Sequence, residues 1–200
     1  MPNMRITNRR RGPSKLPRRL LPGPSSPSTG AQKIVKVTLN GSSTMLSTQA
    51  TTGLFTTSSL TPTLGALAKT SNWKAVFDEY RLVGVDFYIR AISSSNGISN
   101  FLVDDEDATG ENATWFESRP DRSLIVNNSA SPQSHTVIRW RSQDLEDMEW
   151  RSTYNEASFS PCTLKFYTSL TEYGTPASVT GMYYVNWVGH FEFRGVGANN

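Results

Sequence analysis

Seven cationic side chains crowd the first nineteen residues: Arg5, Arg9, Arg10, Arg11, Lys15, Arg18 and Arg19. Guanidinium groups hold phosphate oxygens through paired hydrogen bonds. A row of them neutralises a polyanion and releases its counterions without needing a fixed fold. No acid interrupts the row. Up to Phe77 the chain carries eleven Lys and Arg and no Asp or Glu; from Asp78 onward nine bases face seventeen acids. The formal net charge of +3 thus splits into +11 and −8, which excludes an evenly charged surface. Lys33 and Lys36 extend the basic set beyond the first cluster. This pattern predicts phosphate binding with little sequence readout. A solubilising tail, a localisation signal or a transit peptide are the other readings of that composition.

The second chemical group is acidic. Asp104, Asp105, Glu106 and Asp107 stand together where a hydrophobic run ends. A hard cation wants about six to eight oxygens around one point, more than one such loop supplies. A solvated loop, or a like-charge cluster that limits association at high pH, uses the same residues. Asp144, Glu146, Asp147 and Glu149 form another acidic stretch, without the glycine or spacing of a calcium loop, and read as a surface loop.

Catalysis finds little to work with. His135 and His190 are the only histidines, and neither lies in a motif with a nucleophile. His190 and Glu192 read as an exposed polar pair. The Gly-x-Ser-x-Gly, His-Glu-x-x-His and Gly-Lys-Ser/Thr signatures are absent, so no enzyme activity is expected. The single Cys162 excludes an internal disulfide and a cysteine zinc site. No apolar run reaches eighteen residues, and the N-terminus lacks the apolar stretch of a signal peptide, so membrane insertion is not expected.

Strands must position these groups. Val35, Val37 and Leu39 alternate, and Asn40-Gly41 reads as a turn. A weak strand region covers residues 43–57. In residues 82–91, Val83, Val85, Phe87 and Ile89 share one face, with Asp86, Tyr88 and Arg90 on the other. Asn96-Gly97 turns the chain into a strand over residues 98–103. Thr136, Ile138 and Trp140 oppose Val137, Arg139 and Arg141; Cys162, Leu164 and Phe166 oppose Thr163, Lys165 and Tyr167. A long last strand sets Tyr183, Val185, Trp187, Phe191 and Phe193 on one face. Such alternation means antiparallel sheets with one buried face, hence a sandwich or barrel. One helix is read from Trp73, Val76, Phe77 and Tyr80, with Ser71-Asn72 as N-cap and a preceding turn at Leu64 and Leu67. A second is read near Trp115, stopped by Pro120. Residues 1–30, with Pro13, Pro17, Pro22, Pro24 and Pro27, cannot bury enough apolar surface to fold and form a separate arm; residues 31–200 form the folded domain.

The order of elements carries a resemblance. Trp73-Lys74-Ala75-Val76-Phe77-Asp78-Glu79-Tyr80 runs into Arg81-Leu82-Val83-Gly84-Val85-Asp86-Phe87-Tyr88. This is similar to the helix-to-strand segment of coat proteins from small icosahedral viruses of the tombusvirus-like and sobemovirus-like kind. Phe101-Leu102-Val103-Asp104-Asp105-Glu106-Asp107 resembles their strand that ends in an acidic loop, without the usual following proline. Gly181-Met182-Tyr183-Tyr184-Val185 resembles the start of their last shell strand. The resemblance spans essentially the whole chain.

It implies an all-β fold, a single antiparallel jelly-roll β-sandwich with one or two short helices and a disordered basic N-terminal arm. It implies a capsid protein that self-assembles into an icosahedral shell, satellite-virus-like in lacking a projecting domain. The arm, with Arg5, Arg9, Arg10, Arg11, Lys15, Arg18, Arg19, Lys33 and Lys36, would package a single-stranded genome, with RNA ranked ahead of single-stranded DNA and both left open. The resemblance also implies calcium bridging neighbouring copies at Asp104, Asp105 and Asp107, with no cofactor required. The expected location is the virion, and the host cytoplasm during assembly. The alternative from another class is a cellular β-sandwich that binds nucleic acid or glycans as a monomer or small oligomer.

Overall fold

The computed structural model describes residues 33–67, 69–92, 97–104, 109–120, 122–127 and 135–195. The seven bases of the arm, Asn96, and the acids Asp105, Glu106 and Asp107 lie outside those residues. The chain divides into two units, Met1–Ala31 and Gln32–Asn200, and the second is the one described.

Among the described residues ten strands form: β1 (Val35–Asn40), β2 (Thr44–Ser47), β3 (Ser59–Leu60), β4 (Glu79–Ala91), β5 (Ile98–Asp104), β6 (Leu124–Asn127), β7 (His135–Arg141), β8 (Arg151–Ser152), β9 (Thr163–Tyr167) and β10 (Gly181–Arg194). One sheet runs β1-β10-β4-β7, with β2 also on β10 and β8 on β4. The other runs β3-β9-β5-β6. Every pairing is antiparallel. First and last strands neighbour each other, and the chain crosses between the layers at every step except β1–β2, β5–β6 and β7–β8, which stay in one sheet. That interleaving of two Greek keys is the jelly roll, as the resemblance implied.

The alternating apolar faces meet between the sheets. Val85, Phe87, Ile89, Tyr183, Val185, Trp187 and Phe191 of the first sheet join Phe101, Val126, Leu164 and Phe166 of the second in one buried cluster. Aromatic rings cross the interface edge to face, Phe101 against Tyr183 at 5.4 Å and Phe55 against Phe166 at 5.5 Å. Burial pushes the Tyr183 hydroxyl up to about 12, and that hydroxyl donates to the Val126 carbonyl at 3.0 Å. A buried phenol is tolerated because its polar tip is satisfied.

Local rules err where strands are interrupted. The register of β4 against β10 shifts between His190 and Phe191. Tyr80 and Leu82 therefore enter the core, while Val83 is only half-buried. A one-residue bulge has reversed the parity expected for Val83. Asn40-Gly41 is no hairpin turn, because β1 and β2 both pair with β10 and the chain continues in one direction. Gly41 is needed for closeness instead. A Cβ there would sit 1.8 Å from the Trp187 ring, and its N–H donates to the Trp187 carbonyl at 2.9 Å. Likewise β5 pairs with β6 and β9 rather than β4, so the segment through Gly97 crosses between layers.

Among the described residues there are three short helices: α1 (Thr70–Val76), α2 (Ala113–Glu117) and α3 (Leu170–Tyr173). The N-cap of α1 is Lys69 in the left-handed region at φ 68°, so Ser71 and Asn72 lie inside the helix and Tyr80 beyond it. Trp73 and Phe77 stack against Phe193, each with ring centres 5.1 Å away. The Asn112 side chain caps α2. The sequence reading missed α3, although Ser169 and Glu172 stand at capping-box spacing and the Glu172 N–H donates to the Ser169 hydroxyl at 3.0 Å.

Candidate nucleic-acid interface

Side chains that alternate out of the core make the outer face of the first sheet. From β1 come Lys36 and Thr38; from β10, Tyr184, Asn186, His190, Glu192 and Arg194; from β4, Glu79, Arg81, Asp86, Tyr88 and Arg90; from β7, His135, Arg139 and Arg141. Six Lys and Arg share this face with three acids, so it is net basic.

The acids gather at one end, where cross-strand register matches them to bases. Glu192 takes Arg81 at 2.5 Å and Lys36 at 3.1 Å. Arg194 reaches Glu79 at 2.6 Å, and the Trp150 ring lies within 4.5 Å of Arg81 and 4.3 Å of Arg194. Asp86 takes Arg141 at 2.7 Å, His190 at 3.2 Å and Arg139 at 3.9 Å. Burial alone would raise the Asp86 and Glu192 carboxyls. Hydrogen bonds from Arg141 and His190, and from Arg81 and Lys36, outweigh it and hold both below the ordinary value. His190 therefore pairs across strands with Asp86, and not with Glu192 as the shared face suggested.

Thr38 Oγ1, His190 and Asp86 form a line, with 3.3 Å from hydroxyl to Nδ1. Hydroxyl, imidazole and carboxylate stand in the order of a nucleophile relay. Their setting differs: they lie across three strands of an open face. The carboxylate is bound to Arg141, and neither Thr38 nor His190 lines the two hollows described below.

Among the described residues the other end of the face carries no acid. Tyr88, Arg90, His135 and Asn186 line a shallow hollow of about 290 Å³. Register places Arg90 between Tyr184 and His135, and Tyr88 between Asn186 and Val137. The Arg90 guanidinium lies 5.7 Å from the Tyr184 ring centre, and Tyr88 and His135 meet edge to face at 5.9 Å. Aromatic faces beside a cation, with polar amide and imidazole groups, are what stack and hold single-stranded bases. The sequence showed Tyr88 and Arg90 on one strand face, but only register brings Asn186 and His135 to them.

Of the residues expected to bind nucleic acid, Lys33 and Lys36 are described. Both are exposed, and Lys36 shares its charge with Glu192. Arg5, Arg9, Arg10, Arg11, Lys15, Arg18 and Arg19 lie outside the described residues.

The expected calcium set looks different in three dimensions. Asp105 and Asp107 lie outside the described residues. Asp104 stands diagonal to Lys165 on the second sheet, its Oδ2 2.6 Å from the ammonium. Lys165 is 1% exposed, also reaches Glu111 at 3.3 Å, and lies 4.8 Å from the Trp115 ring centre. The segment carrying α2 covers the outer face of β9 and closes this pocket of charge. A divalent ion at Asp104 would meet a buried ammonium, so Asp104 does not fit calcium. Among the described residues no three His, Cys, Asp or Glu side chains gather to hold a metal.

No protein-family model matches the sequence, and a search among curated proteins finds no match. Solved structures do match. A chain of Desmodium yellow mottle tymovirus superposes with a TM-score of 0.52 at 13% identity, covering 100% of this chain and 99% of that one. Cocksfoot mottle virus gives 0.57 at 9% identity, with 95% and 97% covered. Tobacco necrosis virus gives 0.56 at 12% identity, with 82% and 96% covered. These are capsid proteins of small icosahedral viruses. The described domain has their jelly-roll fold, in agreement with the resemblance carried by its motifs.

Proposed function

We propose that this chain is a viral capsid protein whose copies assemble into an icosahedral shell around a single-stranded genome. The observation that carries the reading is the end-to-end likeness in fold to capsid chains of matching length. The role is structural rather than catalytic, exerted in the virion after assembly in the host cytoplasm. The N-terminal bases bind genome phosphates. The acid-free end of the first sheet's outer face adds a platform where unpaired bases stack, which favours RNA exposed as single strands. The cation held at Asp104 is the Lys165 ammonium.

The test is negative-stain microscopy of purified full-length protein with nuclease treatment. Closed shells protecting nucleic acid are expected. A monomer or small oligomer would overturn the reading in favour of a cellular sandwich protein. The platform has its own expected result. Arg90→Ala lowers affinity for a single-stranded RNA oligonucleotide and reduces the salt slope by about 0.7. Tyr88→Ala costs about 1–3 kcal/mol with the slope unchanged. Fluorescence anisotropy at several salt concentrations reads both, and unchanged binding in the two variants removes the platform.

A further inference from the structure

A second hollow opens where the sandwich ends. It measures about 270 Å³ and is lined by Val103, Ile138 and Trp140 with Arg122, Arg139, Arg141 and Gln143. It lies beside β7, the outermost strand of the first sheet. Ile138 and Trp140 occupy the core-facing positions of β7, so they and Val103 make an apolar floor. Three guanidiniums rim it. The Asp86 carboxylate takes Arg141 and, more distantly, Arg139. Arg122 is exposed and forms no ion pair among the described residues. Among the described residues one acid faces these three bases, so their share of the rim is positive.

The counterpart lies a few residues on. Between β7 and β8 the Gln143 N–H donates to Asp147 Oδ2 at 3.0 Å, and the Asp147 N–H to Asp144 Oδ1 at 2.9 Å. This turn holds Leu145 outward at 89% exposure, the highest of any large hydrophobic side chain among the described residues. Asp144 and Glu146 flank it, both exposed. An ordered turn that holds a leucine in water, within an acidic collar, is an apolar knob with negative edges. The hollow is an apolar floor with positive edges. Gln143 lines the hollow, whereas Leu145, two residues on, is solvent-exposed and not among the described lining side chains, so a second copy supplies the knob.

We propose that Leu145 of one copy seats on the Val103, Ile138 and Trp140 floor of a neighbouring copy, with Asp144 and Glu146 paired to that neighbour's guanidinium rim. The contact rests on the reading that copies assemble. Charge match sets orientation and rejects wrong partners, while the buried leucine supplies the anchor.

Two differently tagged full-length variants, Leu145→Cys and Ile138→Cys, are mixed under assembly conditions with a mild oxidant. A disulfide joining the two tags is expected in the mixture, and the buried Cys162 stays out of it in a native control. Particles that form without this cross-link overturn the proposal. Leu145→Asp keeps the melting temperature of the native chain and raises the concentration needed for assembly at least ~10-fold. Arg122→Glu weakens assembly, and adding Glu146→Arg restores it. A Leu145→Asp chain that assembles like the native one overturns the contact and leaves the capsid reading standing. Native protein that forms no particle overturns both.

Discussion

Removal of residues 2–22 is expected to leave the folded domain intact and to empty its particles of nucleic acid. The deleted stretch carries all seven bases of the arm. Among the described residues the first strand begins at Val35, and the core cluster with the side chains packed on it starts at Val37. The melting temperature should therefore match that of the full chain. Binding should not. Each phosphate neutralised on a single strand contributes about 0.7 to the salt slope, so losing seven removes about 5 from it. Affinity near physiological salt then falls by orders of magnitude, beyond what Lys33, Lys36 and the sheet's outer face can replace. The ratio of absorbance at 260 and 280 nm, and the nucleic acid protected from nuclease, measure the outcome. Truncated particles that package normally would refute the arm's role.

The second large effect lies far from the arm. Replacing Lys165 by methionine keeps the apolar stem and removes the ammonium. Asp104 then stays buried without the cation 2.6 Å away, and Glu111 loses the same partner. Breaking a buried pair from one side costs about 3–5 kcal/mol, because the remaining charge is uncompensated. For a domain of this size that is on the order of 10 °C in melting temperature. Adding Asp104→Asn should recover most of the loss, since removing both charges also removes the desolvation they required. The loss should be the same with and without a chelator, because the cation at Asp104 is an amino group. Thermal unfolding of the three chains measures it. A Lys165→Met chain as stable as the native one would contradict the pair's importance, and a chelator-sensitive loss would return Asp104 to metal binding.

Asp104 also marks the limit of reading by sequence. Its place at the end of an apolar strand was legible, because period-two alternation is a local property of the chain. So were β1, β7, β9 and β10, whose apolar faces fall where expected. The split of charge between the chain's start and the rest was legible in the same way, as were the turn at Leu64 and the helix at Trp115. These features depend on residues close in sequence.

What the tertiary structure alone decided depends on register. Lys165 meets Asp104 because β9 lies beside β5, sixty-one positions apart in the chain. His190 meets Asp86 rather than Glu192 because β10 lies against β4 in one register. A single bulge reversed which of Leu82 and Val83 enters the core, and no local pattern records where a bulge falls. Asn40-Gly41 carries a turn's residues, yet a tryptophan on a distant strand requires that glycine. The aromatic platform and the arginine-rimmed hollow were invisible for the same reason. Each gathers side chains from several strands, and pairings among distant strands are set by burying both sheets' apolar faces together. The alternation along each strand says which face is buried, and only the packed sandwich says which side chains then become neighbours.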